Sequence, residues 1–216
     1  MVCCGCTGFA TRNLRHPSLH QTRYKNEGMI IRNKTTESAQ AWIEVGYELF
    51  AAAGPQGLKV EVMARRVGKS KSSFYHHFAD LECFVELLLA SHHDRALVIA
   101  DRERQCTNVV PELLNVLLDV KQDLLFNRQL RIHRADKNCE ACFAKSSRPV
   151  AEAILPVWAD MLGLGDNSGL ARMVLNLSIE NFYLQITDET LTYDWLLTYV
   201  SGLKIMVREF QISSRP

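Results

Sequence analysis

The most informative segment of the chain is GKSKSSFYHHF, residues 68–78. Phe74 and Phe78 are four residues apart, so on a helix they share one face and can dock into a core. The other side chains are left to face a partner, and each can hydrogen-bond a phosphate or a base edge. They are Lys69, Lys71, Ser72, Ser73, Tyr75, His76 and His77. The segment is therefore typical of a helix that enters a groove of DNA.

The residues before this segment predict a second helix. Apolar residues at positions 60, 63, 64 and 67 have helical spacing over about two turns. Gly68 is expected to end that helix, and the Ser70 hydroxyl is placed to cap the next one. A helix, a glycine break, a short turn and a capped basic helix together predict a helix-turn-helix.

A longer amphipathic helix is predicted upstream. Thr36 and Ser38 provide start signals, and the Ala-Gly-Pro at 53–55 provides the stop. Its expected buried face consists of Ala39, Trp42, Ile43, Gly46, Leu49, Phe50 and Ala53. We expect the three helices to share one small core around Phe50, Met63, Val67, Phe74 and Phe78.

These segments resemble the N-terminal domain of the TetR family of transcriptional regulators. The resemblance rests on residues 47–54, 62–68 and 70–78, and it extends over roughly residues 36 to 90. It implies a homodimeric, all-α protein whose N-terminal domains bind a palindromic double-stranded DNA operator. It also implies that larger C-terminal helices form the dimer contact and a pocket for a small-molecule effector.

The chain departs from the family pattern at two places. Lys69 stands where a small apolar residue is usual between the glycine and the serine. After Phe78, the sequence Ala-Asp-Leu-Glu at 79–82 replaces the usual basic residue at the start of the fourth helix, where a phosphate contact is expected. Our hypothesis is that Lys69 and Lys71 compensate electrostatically for that missing contact.

The charge distribution favours DNA binding independently of the resemblance. Residues 1–79 carry eleven Lys and Arg against five Asp and Glu, and residues 80–216 carry fourteen against nineteen. The net charges are therefore +6 and −5, although the whole chain carries only +1. A basic face attracts the polyanion and releases counterions on contact. A basic face alone could equally be an ordinary solvated surface.

Side-chain chemistry suggests roles within the motif. Lys71, Ser72 and Ser73 occupy the first turn of the recognition helix, which usually approaches base edges, and Lys71 is the best candidate for reading a guanine. Phosphate contacts are expected from Tyr75 and His76. The N-terminal Arg32 and Lys34 are expected to contact phosphates or the minor groove. The complete predicted DNA-binding set is Lys69, Ser70, Lys71, Ser72, Ser73, Tyr75, His76, Arg32 and Lys34. His76 and His77 diverge by about 100° on a helix, which disfavours a shared metal ion.

The rest of the chain predicts further helices and no strands. Asp80 can cap a fourth helix that runs to about Arg104, and Pro111 opens another amphipathic run. Later helical patterns cover about 142–162, 167–188 and 192–211. We predict an all-α protein with an N-terminal extension (1–34), a three-helix helix-turn-helix domain (35–80) and a larger helical domain for effector binding and dimerisation (81–216).

The last two predicted helices carry more apolar positions than one buried face needs. This surplus suggests that residues 167–188 and 192–211 form the homodimer contact, which would place two recognition helices about one DNA turn apart. The alternative is that both helices are buried in the core of a monomer.

A ligand pocket is implied by the resemblance among the helices between about 85 and 185. Aromatic and polar residues in this region could line it, although each could equally be a surface or a satisfied core residue. The candidates are His93, Arg131, Trp158, Asn176, Glu180 and Tyr183, with His133 nearby.

The cysteines suggest alternatives. Cys139 and Cys142 form a CxxC motif near His133, but a single pair lacks the second pair of a structural zinc site and the strand–helix context of a redox motif. An enzyme, either a Cys/His hydrolase or a redox protein, would use these residues.

No metal or cofactor is expected. The preferred function is a ligand-responsive repressor, and an effector-independent DNA-binding activator is a further alternative.

The N-terminal sequence suggests a location. Cys3, Cys4 and Cys6 lie in a polar stretch that lacks the apolar region of a signal peptide. No 18-residue apolar run occurs, so no membrane span is expected. An odd number of cysteines without an export signal favours a reducing cytoplasm. Residues 1 to about 30 are expected to be disordered or outside the native product, because Met29 would make a reasonable start.

Overall fold

The computed structural model describes residues 39–213, and every regular element in that range is a helix. Helix α1 covers residues 39–53 and is followed by a 3₁₀ turn, Gly54–Gly57. The order then continues with α2 (Val60–Val67), α3 (Lys71–His77), α4 (Leu81–Glu103), a turn at Val109–Leu113, α5 (Leu114–Asp119), α6 (Lys121–Ile132), α7 (Lys137–Met161), α8 (Ser168–Gln185) and α9 (Tyr193–Ser213). The predicted all-α fold is confirmed for these residues.

The helix-turn-helix forms through the predicted local signals. Gly68 follows α2 with φ of 70°, in the left-handed region that favours glycine, and its backbone N–H donates to the Ala64 carbonyl. Ser70 then caps α3, because its hydroxyl accepts a hydrogen bond from the Ser73 backbone N–H at 3.2 Å. These caps set the chain direction at the turn between the two helices.

Helix α1 ends at residue 53 as predicted, whereas its proposed start signals, Thr36 and Ser38, lie outside the described residues. Its buried face differs slightly from the prediction. Ala53 is exposed, and Tyr47 is buried instead. Gly46 lets α4 approach closely, because a Cβ atom there would lie 2.4 Å from Cζ of Phe84. The buried face of α1 therefore includes Tyr47 and does not reach Ala53.

The predicted small core of three helices is part of a larger one. Phe74 and Met63 are fully buried as expected, but Val67 is only half-buried. Phe50 stacks on Phe126 of α6 with ring centroids 4.1 Å apart. The end of α1 therefore also packs against α6.

Helices α4 and α7 form the centre of the C-terminal bundle. They pack along each other, α7 also contacts α6 and α8, and α5 contacts α9. The buried face of α4 carries Phe84, Leu88, His92 and Ile99, which recur at helical spacing. Asp80 caps α4 as predicted by accepting a hydrogen bond from the Cys83 N–H at 2.8 Å.

A buried polar network joins α1, α4 and α6. The Tyr47 hydroxyl donates to Asp123 at 2.7 Å, and Arg95 donates two hydrogen bonds to the same carboxylate at 2.6 and 3.0 Å. The Tyr47 oxygen also lies 2.6 Å from Nδ1 of His92, whose Nε2 lies 3.1 Å from Oδ1 of Asn127. Burial lowers the pKa of His92 to about 4, so the imidazole is neutral near pH 7. The network ties α1 to the body of the protein.

Within residues 39–213, none of the helices is both long and apolar enough to cross a membrane.

Gly68→Ala is expected to destabilise the fold by about 1–2 kcal/mol, because an alanine is strained in the left-handed region. The added methyl itself meets no atom within 4 Å, so the loss would report backbone conformation alone. The free energy of unfolding from urea titration gives the measurement. Gly169→Ala is the matched control, because Gly169 is helical and its Cβ would meet only an ordinary contact at 3.8 Å. Equal stabilities for the two variants would contradict the prediction.

Candidate functional site

Helix α3 presents one polar face to solvent and one aromatic face to the core. Phe74 is fully buried, and its ring lies 5.3 Å from Trp42 and 5.4 Å from Phe84 between ring centroids. The predicted DNA-binding side chains are on the other side. Ser73 is partly buried, and the exposed residues are Lys69, Ser70, Lys71, Ser72, Tyr75 and His76. The helix can therefore offer donors to a partner without disturbing its anchor.

Lys71 has an acidic neighbour on α2. Its ammonium donates to Oε1 of Glu61 at 2.9 Å. The hydrogen bond and charge of Glu61 raise the pKa of Lys71, and the hydrogen bond from Lys71 lowers the pKa of Glu61. Both side chains are exposed, so the pair is weak and Lys71 can exchange it for an anionic partner.

Two of the predicted DNA contacts, Arg32 and Lys34, lie outside the described residues. The unusual acidic start of α4 has a structural explanation in Asp80. Its carboxylate caps the helix, and the hydrogen bond from Cys83 lowers its pKa. Asp80 therefore stabilises the start of α4, where the family resemblance implies a basic residue that contacts a phosphate.

The adjacent histidines of α3 diverge as expected. His76 is exposed, His77 is half-buried, and their ring centroids are 5.8 Å apart. No cluster of three or more His, Cys, Asp and Glu side chains suited to a metal ion occurs among residues 39–213.

A cavity of about 80 Å³ lies inside the C-terminal helices. Its wall is almost wholly apolar and draws on the end of α4, the turn at 109–113 and helices α5 to α9. The aromatic members of the wall are Trp158, Phe182, Tyr183 and Tyr199. A cavity needs only about 10–15 Å³ to hold one water, so this one has room for a small molecule.

Among the described residues, Glu103 is the single acidic one in the wall of this cavity. Its side chain is 1% exposed, and neither carboxylate oxygen has a hydrogen-bond partner within that part of the chain. Burial raises the pKa of Glu103 to about 8, against the smaller opposing effects of Arg102 and Arg104. An unpaired buried carboxyl group opposes folding, so its position calls for a functional explanation.

Two of the six predicted ligand residues, Trp158 and Tyr183, lie in the cavity wall. Asn176 and Glu180 instead line a separate surface groove with Arg148 and Arg172. Arg131 is paired with Glu180 at 2.6 Å. His93 is half-buried, and its Nδ1 atom has no hydrogen-bond partner among residues 39–213. The structure therefore gathers only part of the predicted set at one place.

The cysteines of the CxxC motif are poorly suited to nucleophilic chemistry. Cys139 and Cys142 are both buried, and burial raises the pKa of Cys139 to about 11 and also raises that of Cys142. Thiols of that kind stay protonated near neutral pH, whereas the reactive form is the thiolate. Nδ1 of His133 lies 2.9 Å from the backbone carbonyl oxygen of Gln129.

The N-terminal part of the chain matches a known protein family. Residues 43–86 match the bacterial regulatory proteins of the tetR family. The chain carries a TetR-family DNA-binding domain. The matched range runs from α1 through the helix-turn-helix to the first turns of α4, so the TetR segment includes the exposed face of α3 described above. No curated protein matches the chain.

Solved structures extend the TetR fold beyond that domain. A protein from Rhodococcus sp. assigned to the TetR family is 18% identical, with a TM-score of 0.53, over 80% of this chain and 98% of its own. A transcriptional regulator from Rhodococcus sp. Rha1 is 14% identical, with a TM-score of 0.54, over 79% and 96%. Salmonella enterica GusR is 13% identical, with a TM-score of 0.54, over 79% and 93%. At these identities the similarity establishes the fold alone.

Glu103 was not predicted from the sequence, because it lies in the charged segment DRERQ at 101–105, which is typical of a solvated helix end. A signal was present nonetheless. Positions 88, 92, 96, 99 and 103 continue one helical face, and the first four are buried. A glutamate that extends an apolar stripe is a candidate for a buried carboxyl group.

Glu103→Gln is expected to stabilise the protein at about pH 8.5 and to leave its stability nearly unchanged at about pH 4. The carboxyl pKa is about 8 in the folded chain, whereas its ordinary value is 4.5. Between these values the folded chain holds a proton that the unfolded chain has lost, so stability falls as the pH rises from 4.5 to 8. Each pKa unit corresponds to about 1.4 kcal/mol, and glutamine removes this loss because it does not ionise.

Urea unfolding of wild type and variant at the two pH values measures this difference. Glu86→Gln is the control, because Glu86 is an exposed glutamate on the same helix. The same stability difference at both pH values would contradict the assigned ionisation of Glu103.

Proposed function

We propose that the protein is a ligand-responsive transcriptional repressor that binds a palindromic operator as a homodimer and is released by a small molecule. One arrangement carries the proposal. Helix α4 packs beneath the DNA-binding helices at its first turns and lines a cavity of the C-terminal helices at its last residue. A ligand in the cavity therefore contacts the same rigid element that supports the recognition helix.

DNA binding is assigned to the exposed face of α3. Lys69, Lys71 and Ser72 lie at or before its first turn, where side chains and backbone N–H groups approach base edges and phosphates. Tyr75 is 56% exposed and, with His76, is one turn further along. We assign phosphate contacts to these two residues. We assign base contact to Lys71, which would leave its pair with Glu61 to bind the DNA.

Coupling between the two sites is assigned to the buried network of α1, α4 and α6. Arg95 and His92 lie two to three turns before Glu103 on α4. Arg95 is linked to Tyr47 of α1 through Asp123, and His92 contacts Tyr47 directly. Displacement of the α4 end by a ligand would therefore be transmitted to α1. Such a ligand acts only through its different affinities for the two arrangements.

Dimerisation is assigned to α8 and α9, as predicted. Both helices expose large apolar side chains to solvent. Leu177 is 65% exposed, Leu184 is 74% exposed and Ile205 is 63% exposed. Leu177 and Leu184 are seven residues apart and so share one face of α8, and an exposed apolar stripe of this kind favours an interaction surface. A second copy of the chain is the proposed occupant, because a twofold axis there would present two recognition helices to a palindrome.

A repressor of this kind acts where its operator is, so we also assign the protein to the cytoplasm. The four cysteines at positions 83, 106, 139 and 142 are free, in keeping with a reducing compartment.

Lys71→Ala combined with Tyr75→Ala is expected to lower affinity for the operator about tenfold or more, because a base contact and a phosphate contact are lost on each protomer. Fluorescence anisotropy on DNA fragments from around the gene, at two salt concentrations, gives the measurement. The matched control is Lys145→Ala, which removes an exposed lysine from α7. Equal binding by the double variant and wild type would overturn the assignment of α3.

Leu177→Asp combined with Ile205→Asp is expected to convert the dimer into monomers, because charges replace apolar contacts in the proposed interface. Sedimentation velocity measures the mass of the species. Val98→Asp is the control, since Val98 is 62% exposed on α4 and lies outside α8 and α9. A wild-type monomer, or a double variant that remains dimeric, would contradict the interface.

A further inference from the structure

The unpaired carboxyl group of Glu103 indicates what kind of molecule the cavity binds. This inference rests on the proposed role of the cavity as an effector site. Glu103 is nine-tenths or more buried, lines the cavity and has no partner on either oxygen among the described residues. A buried carboxylate is normally paired with a cation or several donors. Residues 39–213 supply neither, so the missing partner would come from the ligand.

The neighbouring cations are engaged elsewhere. Arg102 donates to Asp119 at 2.6 Å, and Arg104 donates to Asp101. Neither arginine lines the cavity, and within the described part of the chain no lysine, arginine or histidine does. The wall formed by these residues therefore carries one acidic group and no basic group. An anionic ligand would meet the buried carboxyl without any compensating charge, which disfavours acids and phosphates.

The remaining wall suits the body of a small organic cation. Phe182 lies 5.5 Å from Tyr183 and 5.7 Å from Tyr199 between ring centroids. Aromatic faces attract cations, and this attraction strengthens where water is excluded. The Tyr199 hydroxyl is already used, since it donates to the Ser178 carbonyl at 2.7 Å. The indole N–H of Trp158 has no hydrogen-bond partner among residues 39–213. Apart from Glu103 and this indole, the wall thus offers mainly apolar contact.

We propose that the effector is a compact primary amine with an apolar body, whose ammonium group pairs with the carboxylate of Glu103. The cavity volume of about 80 Å³ favours a compact ligand. At neutral pH the pairing requires Glu103 to release to solvent the proton that its raised pKa retains in the empty site. The resulting charge-assisted hydrogen bond, in a largely apolar wall, supplies the affinity that a neutral ligand of the same shape lacks.

The test uses benzylamine, cyclohexylamine and hexylamine beside the alcohols of the same shape, with benzoate and acetophenone as further probes. Binding to the full chain without DNA is measured by isothermal titration calorimetry. We expect each amine that fits to bind at least about tenfold more tightly than its alcohol, because an ion pair replaces a neutral hydrogen bond. We expect benzoate not to bind.

Glu103→Gln is expected to remove this preference, so that amine and alcohol bind equally weakly. The control is Glu86→Gln, which makes the same charge change on an exposed face of the same helix and should keep the preference. If Glu103→Gln does not fold, the comparison of amines with alcohols on the wild-type chain still decides. Equal binding of amines and alcohols would overturn the proposal, as would failure of every amine to bind at millimolar concentrations.

Tighter binding of acetophenone than of any amine would also overturn it, and would assign Glu103 as a protonated donor to a carbonyl group. The proposed function is tested separately by operator binding in the absence of any probe. Operator binding without amine binding would overturn only the identity of the effector. Amine binding without release of a bound operator would retain the chemistry of the cavity and overturn its role in regulation.

Discussion

The carboxylate of Asp123 joins three helices of the protein, α1, α4 and α6. It is buried in α6, where a charge without a partner would be strongly unfavourable. Arg95 of α4 meets it with two hydrogen bonds, and Tyr47 of α1 donates a third. The Arg95 guanidinium also lies 4.4 Å from the centroid of the Tyr47 ring. Satisfying this one charge therefore requires α1, α4 and α6 to adopt a single arrangement.

Helix α4 connects that arrangement to both proposed sites. Its 23 residues span about 35 Å, and each part has a different task. Phe84 supports the aromatic face of α3, Arg95 and His92 hold α1, and Glu103 contributes to the cavity wall. The two buried acidic groups differ in one respect. The Asp123 carboxylate is paired with Arg95 and Tyr47, whereas Glu103 is unpaired within residues 39–213 and is the group that we propose a ligand completes.

The TetR resemblance could be recognised from sequence because its signals are short. Gly68, Ser70 and Asp80 act on backbone groups within a few residues, so the turn, the cap of α3 and the start of α4 were predicted correctly. Apolar spacing likewise predicted the helices. The exposed set on α3 followed from the same spacing, because an anchored Phe74 leaves its neighbours facing outward.

Local backbone and side-chain chemistry specify the helix-turn-helix, the all-α class and the basic character of the N-terminal third, so these features could be read from the sequence. Which polar groups are buried together depends instead on how distant segments pack. Tyr47 and Asp123 are 76 residues apart, and Arg95 and Asp123 are 28 apart. Glu103 became a cavity residue because helices from other parts of the chain close over it. Such burial depends on distant packing, which leaves no local pattern beyond an apolar stripe.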